Sequence, residues 1–287
     1  MVTNISNDDF NKLVRFIHSQ YGIDLSQKRQ LVTSRLSSLL SQKGYTDFGP
    51  FVADLLRKQD PADMELVLNR LTTNYTFFMR EEEHFHFFRD TILPDLVKRH
   101  QRDKVLAIWS AGCSSGEEPY NISIVLKEFL GAQANQWDTR VLATDISQKA
   151  LASAKRGVYE LPDTIPAAWR KKYFQPVTGV NGKQFMVAPV LRNNVIFQTF
   201  NLMDPIKFRL KFDVIFCRNV MIYFDQPTKD ALTQRFYDAL VPGGYFMISH
   251  SENLSKNSPF TTIAPSTFQK KNEREAASAS FPNLFHK

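Results

Sequence analysis

Apolar residues recur every three or four positions along the first 72 residues, as they do on one face of an amphipathic helix. The pattern predicts helices over residues 10–21, 48–56 and 64–71. Between the first two, residues 26–43 place Leu31 and three later leucines inside and basic side chains outside. We therefore predict a small all-α N-terminal domain over residues 1–72.

The pattern changes from Lys104 onward, where short apolar runs alternate with helical stretches. Such alternation is typical of an α/β domain with a buried parallel sheet. We predict this domain over residues 100–287. Its predicted strands are 105–109, 141–145, 195–199, 214–217 and 245–249, and two of its predicted helices are 148–156 and 228–240.

Two segments interrupt these regular patterns. Residues 73–99 read as a connector, with an irregular aromatic and polar stretch followed by a helix from Glu82 to Arg99. Residues 157–194 are rich in proline and glycine, and Asn181-Gly182 is a strong hairpin signal before a strand at 183–187. We predict a small antiparallel β-subdomain inserted at about 160–194, and a poorly ordered tail over 272–287.

Composition narrows the possible compartments and partners. No apolar run is long enough to span a membrane, and the start lacks the basic and apolar regions of a signal peptide. The two cysteines indicate neither a disulfide framework nor a metal site. We therefore expect a cytoplasmic protein without membrane insertion or a bound metal. The net charge of +7 favours anionic partners, whether nucleic acid, membrane surface or acidic protein.

A loop of small residues, 112–116, follows the first predicted strand and precedes a helix that begins with Glu117 and Glu118. Small residues let a ligand approach the backbone closely, although an ordinary tight turn has the same composition. Two carboxylates at this point would repel a phosphate and attract a cation. A nucleoside with a cationic end, such as S-adenosylmethionine, therefore fits better than a dinucleotide.

Two further sets of residues mark candidate ligand contacts. Asp145 ends the second predicted strand, where an acid commonly binds a ribose, although a helix N-cap is the local alternative. Asn74, Thr76 and Arg80 lie on the irregular connector, which is either a functional segment or a cap between helices. The separation between the loop and Asp145 favours the ribose interpretation.

Six ordered motifs extend this picture over nearly the whole chain, at residues 72–80, 110–119, 144–146, 200–202, 217–224 and 250–253. With them, the chain resembles the CheR-type chemotaxis receptor methyltransferases. The resemblance implies a doubly wound, Rossmann-like S-adenosylmethionine-dependent methyltransferase domain with an inserted antiparallel β-subdomain, preceded by a small all-α domain. Met79 departs from the phenylalanine that many relatives carry there, with little expected consequence because methionine is apolar and adaptable.

The resemblance also implies roles for individual residues. Arg80 and Tyr223 correspond to the catalytic pair, and one of Glu117 and Glu118 to the partner of the methionine ammonium. Asp145 corresponds to the ribose ligand. For Tyr223, aromatic packing under the loop is the alternative to a catalytic role. The other implied cofactor contacts are Asn74, Thr76, Arg80, Asn201, Leu202, Arg218 and Asn219.

The implied reaction transfers a methyl group from S-adenosylmethionine to glutamates of chemotaxis receptors, giving methyl esters and S-adenosylhomocysteine. A glutamate has a reference pKa of about 4.3, so it is ionised at neutral pH and needs no general base. A nucleic-acid methyltransferase is an alternative, but residues 217–220 lack the Asn/Asp-Pro-Pro-aromatic motif. A non-catalytic cofactor-binding signalling protein is the other, and the joint presence of the site residues disfavours it.

A basic stretch is the candidate surface for the substrate. Lys28, Arg35 and Lys43 are seven and eight residues apart, close to two helical turns, and therefore share one face. With Arg29, we predict that they bind the cytoplasmic methylation helices of chemoreceptors, which are rich in glutamate. A solvated basic surface is the simpler alternative. We expect a monomer that does not bind nucleic acid.

Overall fold

The structure is a computed structural model that describes residues 4–177 and 183–271. Its N-terminal part contains four helices: α1 (Asn7–Tyr21), α2 (Arg29–Gln42), α3 (Phe48–Lys58) and α4 (Pro61–Leu71). Their apolar faces are buried together, as predicted. In α2 the predicted Leu31 is partly buried and packs against this core, and Val32 beside it is fully buried. The predicted turn at Asn181-Gly182 and the tail 272–287 lie outside the described residues.

The predicted helix from Glu82 to Arg99 is one run in three parts: α5 (Glu82–Phe87), a π-helical stretch (Phe88–Ile92) and α6 (Leu93–Arg99). Pro94 lies in the first turn of α6. A proline cannot donate the usual helical bond, and its ring collides with the carbonyl four residues earlier. The wider π-helical turn accommodates this, while Phe88 and Ile92 remain buried.

A seven-stranded, mostly parallel sheet has the order β6-β2-β1-β7-β8-β10-β9. The strands along the chain, with those of a second sheet, are β1 (Ile108–Ala111), β2 (Val141–Asp145), β3 (Val158–Glu160), β4 (Phe174–Val177), β5 (Gln184–Val187), β6 (Val195–Thr199), β7 (Phe212–Phe216), β8 (Leu240–Met247), β9 (Thr261–Ala264) and β10 (Thr267–Gln269). The later helices are α7 (Glu117–Leu130), α8 (Gln148–Arg156), α9 (Ala167–Tyr173), α10 (Pro189–Arg192) and α11 (Gln226–Ala239).

Strand β1 pairs in parallel with β2 on one side and with β7 on the other. The chain therefore winds away from β1 in both directions, which makes the carboxyl end of β1 the topological switch point. Ligands of open α/β sheets bind at this point. The fold thus confirms the predicted doubly wound α/β domain and indicates where its site should lie.

Three predicted strands of the seven-stranded sheet have different bounds in the structure, and the strand predicted at 183–187 is β5, one residue shorter. The strand predicted at 105–109 is Ile108–Ala111, and Val105 forms only an isolated bridge with Asp138. The hydropathy pattern ends too early because Ser110 is polar yet fully buried, with its hydroxyl bonded to Glu118. The strands predicted at 214–217 and 245–249, and the helix predicted at 228–240, are β7, β8 and α11 with the bounds given above.

The inserted β-subdomain is a three-stranded antiparallel sheet of order β3-β5-β4. Its first strand begins at Val158, two residues before the predicted start of about 160. Phe78 of the connector packs edge-on against Tyr159 and Phe174 of this sheet, at centroid distances of 5.1 and 5.3 Å. The subdomain is therefore packed against the connector. Among the described residues, no helix combines the length and apolarity needed to cross a bilayer.

Candidate active site

A cleft with about 990 Å³ of empty space, part of it open to solvent, lies at the carboxyl ends of β1, β2 and β7. The predicted cofactor residues that line it are Asn74, Thr76, Arg80, Glu118, Asp145, Asn201, Leu202, Arg218 and Asn219, and Tyr223 of the predicted catalytic pair lines it too. The fold thus brings together residues from the connector and from four separate strand ends.

The loop after β1 is closed tightly around two glycines. Gly112 has φ +83°, and an added Cβ would lie 2.3 Å from Cγ2 of Val220. Gly116 has φ +98°, and its Cβ would lie 2.7 Å from Cβ of Ala154. Both positions therefore require glycine because of the protein's own packing as well as any ligand. The amides of Gly112 and Cys113 both donate to the carbonyl of Thr144, which ties the loop to β2.

The structure separates the two glutamates that the sequence could not distinguish. Glu118 lines the cleft and accepts hydrogen bonds from the hydroxyl of Ser110 at 2.7 Å and from Arg218 at 3.0 Å. Glu117 is buried away from the lining and accepts a bond from Ser115 at 2.7 Å. Burial raises the pKa of Glu117 to about 7, so this carboxyl is partly protonated near neutral pH. Glu118 is thus the candidate cation ligand.

Arg218 lies at the base of the cleft, with a side chain only 2% exposed. Its guanidinium donates to Glu118 at 3.0 Å, to Glu81 at 3.2 Å and to the backbone carbonyl of Arg80. It also lies over the ring of Phe85, 5.3 Å from the centroid. Arg218 therefore joins the wall of the cleft to the connector.

Asp145 is 9% exposed, lines the cleft and is hydrogen-bonded to two backbone amides of the surrounding loops. One carboxylate oxygen accepts the amide of Ser114 at 2.7 Å, and the other accepts the amide of Ser147 at 2.9 Å. Burial raises the pKa of Asp145. Each oxygen retains a second lone pair that can accept from a ribose hydroxyl. The N-cap of α8 is Ser147, so the alternative of Asp145 as the helix N-cap is wrong.

Asn219 has the left-handed φ of +60°, and two neighbours hold it there. Its amide donates to Glu252 at 3.1 Å, and its side chain donates to the hydroxyl of Ser249 at 2.7 Å. Glu252, which is 4% exposed, also accepts the amides of Ser249 and Ile222. The motif at 250–253 had no role assigned from the sequence, and Glu252 is the residue that organises the loop after β7.

The connector closes one side of the cleft. Arg80 donates to the carbonyl of Tyr75 at 2.8 Å, with its guanidinium 6.0 Å from the ring centroid of Phe77. The hydroxyl of Tyr223 donates to the carbonyl of Thr73 at 3.1 Å and accepts from the amide of the same residue at 3.2 Å. Tyr223 therefore anchors the connector as well as lining the cleft.

The sequence missed the contribution of the N-terminal domain to the cleft. Tyr21 and Ile23 line it, and the side chain of Asn201 donates to the carbonyl of Gln20 at 2.8 Å. Tyr21 belongs to the predicted apolar face of α1 and is half-buried, as that face predicts. No local pattern distinguishes it from a core residue. Phe200, Val220 and Phe224 add apolar lining that the sequence also left unassigned.

The predicted basic surface of α2 is largely engaged within the protein. Arg35 is half-buried and donates to the carbonyls of Arg70, Leu71 and Thr72 at 3.2–3.3 Å, which corrects its expected solvent-facing position. Arg29 bonds to Asn7 and Ile5, and Lys43 pairs with Asp63. Lys28 is exposed at the N-cap of α2. These four residues do not line the cleft.

Behind Arg218, the described residues contain one group of potential metal ligands: Glu81, His84 and His250, with their ligand atoms within 4.8 Å of one another. The carboxylate of Glu81 accepts hydrogen bonds from Arg218, from the hydroxyl of Ser249 at 2.8 Å and from the amide of His250 at 3.3 Å. Nδ1 of His84 lies 3.3 Å from Glu81 without the alignment of a hydrogen bond. The carboxylate of the group is thus already bonded within the protein.

Two family models match the chain: the CheR methyltransferase all-alpha domain over residues 8–72 and the CheR methyltransferase SAM binding domain over 74–269. The chain is 38% identical over 273 residues to a chemotaxis protein methyltransferase of Borreliella burgdorferi, covering 93% of this chain and 95% of that protein. It is 40% identical to chemotaxis protein methyltransferase 2 of Pseudomonas aeruginosa, over 87% and 88% of the two chains. With a cleft at the expected switch point and matches over most of its length, the chain belongs to the CheR family of S-adenosylmethionine-dependent methyltransferases.

Proposed function

We propose that this methyltransferase modifies glutamate side chains of chemotaxis receptors and forms glutamyl methyl esters. The observation that carries the proposal is the composition of the cleft. Its described lining contains neither histidine nor lysine, and its two carboxylates, Glu118 and Asp145, are already bonded within the protein. A hydroxyl or amine substrate would need a base to remove its proton, whereas an ionised carboxylate does not. The lining therefore suits a carboxylate nucleophile.

The residues present fit S-adenosylmethionine, which supplies an electrophilic sulfonium methyl when bound. Glu118, beside the loop after β1, would bind the ammonium, because an anion there favours a cation. Asp145, at the end of β2, would accept hydrogen bonds from the ribose hydroxyls. Leu202 and Phe200 give an apolar wall beside Asn201, which suits a flat base. Asn74, Thr76 and Asn219 would complete the polar lining.

Arg80 and Tyr223 would orient the incoming glutamate. The guanidinium of Arg80 has five N–H donors, and the structure gives it one hydrogen bond, to Tyr75. It can therefore hold a substrate carboxylate without giving up its own support. Tyr223 would act mainly by fixing Thr73 and the connector that carries Arg80. Alignment of the carboxylate oxygen with the methyl group is the main requirement of this reaction.

The partner is inferred from charge and from relatives. The relatives are named chemotaxis protein methyltransferases, and the chain has a net charge of +7. A glutamate-rich receptor helix has the complementary charge. We propose that the protein works in the cytoplasm, as a monomer, on the methylation helices of chemoreceptors and not on nucleic acid.

A methyl-transfer assay with receptor cytoplasmic fragments and RNA in parallel tests the proposal. S-adenosylmethionine labelled in its methyl group should label the receptor fragment alone, and mild alkali should release the label as methanol, as it does from methyl esters. A fragment with its acceptor glutamates replaced by alanine is the control and should remain unlabelled. Label on RNA, or alkali-stable label on protein, would contradict the proposal.

A further inference from the structure

Arg218 lies between two carboxylates in a nearly closed part of the protein. It donates to Glu118 at 3.0 Å on one side and to Glu81 at 3.2 Å on the other. The three side chains are 2%, 13% and 18% exposed, for Arg218, Glu118 and Glu81 in turn. Charges this poorly solvated influence one another more strongly than surface pairs do. Their sum, one cation and two anions, is one net negative charge.

Glu81 supplies the carboxylate that makes this sum negative. The cleft lining has two arginines, Arg80 and Arg218, and two carboxylates, Glu118 and Asp145. Glu81 is not part of the lining. Without it, Arg218 would neutralise Glu118, and a ligand cation would have to compete with a buried guanidinium for the same carboxylate. With it, the positive charge of Arg218 is shared between two anions.

The surroundings of Glu81 keep it ionised and in place. Burial alone would raise the pKa of Glu81, but Arg218 and the hydroxyl of Ser249 hold it below its ordinary value. Burial lowers the pKa of the neighbouring His84 to about 3, so this ring is neutral and leaves the charge balance unchanged. His250 contacts Glu81 through its backbone amide at 3.3 Å. Glu81 thus lies at a fixed point behind Arg218.

We propose that Glu81 is a positioning residue for cofactor binding: its charge offsets that of Arg218 and leaves Glu118 available to the ammonium of S-adenosylmethionine. The inference rests on the proposed contact between Glu118 and the ammonium. It makes Glu81 a determinant of affinity for the amino-acid end of the cofactor only. The nucleoside end should be bound independently of Glu81.

Calorimetry on the full chain tests this with two ligands, S-adenosylhomocysteine and 5′-methylthioadenosine, which lacks the amino-acid end. Glu81→Gln keeps the size and one acceptor oxygen of the side chain but removes its charge. We expect it to weaken the binding of S-adenosylhomocysteine about 10-fold, because Glu118 then has to offset the charge of Arg218 alone. Binding of 5′-methylthioadenosine should be unchanged. Glu81→Asp, which keeps the charge, should bind both ligands nearly as the wild type does.

Glu82→Gln removes the same charge from the exposed neighbouring residue and should change neither affinity. Glu118→Gln, measured in parallel, should also weaken S-adenosylhomocysteine selectively. If it does and Glu81→Gln does not, the inference about Glu81 is overturned and the ammonium contact stands. Equal weakening of both ligands by Glu81→Gln would show a structural role instead. Receptor labelling is measured separately, so a failure of the inference about Glu81 does not decide whether receptor glutamates are the substrate.

Discussion

Glu117 and Glu118 are adjacent in the sequence, yet the structure gives them different chemistry. Glu118 faces a guanidinium and lines the cleft, whereas Glu117 turns into the protein interior beside Ser115. Consecutive residues in the first turn of a helix point in directions about 100° apart, so one can face a ligand while the other faces the core. This difference gives Glu117 a predictable effect on stability.

Glu117 should make the protein less stable as pH rises. Burial raises its pKa from 4.5 to about 7, so the folded state favours the protonated form. Its stabilising contribution is fully present below about 4.5 and is lost as pH rises through about 7, by up to roughly 3 kcal/mol. Glu117→Gln mimics the protonated side chain and should flatten this dependence. Urea unfolding at pH 5 and pH 8 measures it, and a slope identical to that of wild type would contradict the prediction.

Arg80→Ala should lower turnover much more than stability. Arg80 has one hydrogen bond, to Tyr75, and is only partly buried, so its loss should cost the fold about 1 kcal/mol. The proposed orientation of the substrate carboxylate would be lost entirely. Initial rates with receptor fragment and thermal unfolding of the same sample separate the two effects. A variant that melts many degrees lower, but whose folded fraction turns over normally, would show that Arg80 is structural.

Asp145→Ala should weaken S-adenosylmethionine by roughly 1.5–3 kcal/mol if the ribose bonds are charge-assisted. The variant also leaves the amides of Ser114 and Ser147 without their acceptor, so a loss of stability should accompany it. Ser147→Ala is a useful comparison, because it removes the bonds of the hydroxyl to the amide of Ala150 and to Asn69 but leaves the Asp145 carboxylate in place. Calorimetry on both variants would reject the ribose role if Asp145→Ala bound the cofactor as tightly as wild type.

At the scale of elements, the bounds of several strands and helices follow from a regular apolar pattern, whereas a bound set by a buried polar residue does not. Strands β2 and β6 and helix α8 have the predicted bounds. Strand β1 was displaced because Ser110 is buried with a distant partner that local sequence does not reveal. Most cleft residues came from motif resemblance, whereas Tyr21 and Ile23 were missed because only the tertiary fold brings them to the cleft.

Helix α2 also acquires a structural role that its charge pattern concealed. Arg35 closes the end of α4 by donating to three of its last carbonyls, and these would otherwise lack partners. Arg35→Gln should therefore lower the free energy of unfolding by about 1–3 kcal/mol. Lys28→Gln, at the exposed start of the same helix, is the matched control and should change it by less than about 0.5 kcal/mol. Equal effects would mean that Arg35 does not cap α4.

At the scale of the whole molecule, the cleft belongs to both parts of the chain. The amide of Asp24 donates to the carbonyl of Tyr223 at 2.8 Å, and Ser147 donates to Asn69 at 2.7 Å. His18 and Asp225 add a contact at 3.0 Å. The N-terminal domain is thus packed against the methyltransferase domain beside the cofactor cleft, to which the proposed receptor helix must gain access. Charges on this domain are therefore well placed to influence the encounter with substrate.

Of the four predicted basic residues, Lys28 is the one whose substitution best tests electrostatic steering of the receptor, because Arg29, Arg35 and Lys43 bond to other groups of the protein. We expect Lys28→Glu to raise the Michaelis constant for receptor fragment and to leave cofactor affinity unchanged. The difference should shrink between about 50 and 200 mM salt, because screening shortens the reach of exposed charges.

Lys256→Glu changes the net charge of the protein equally, at an exposed site in another part of the chain. It is therefore the matched control for Lys28→Glu, and its Michaelis constant should change less. Equal changes in the two variants would mean that the net charge of +7, and not the start of α2, attracts the receptor. No change in either variant at low salt would show that the basic surface is only solvated, because steering acts on encounter and is strongest when screening is weakest.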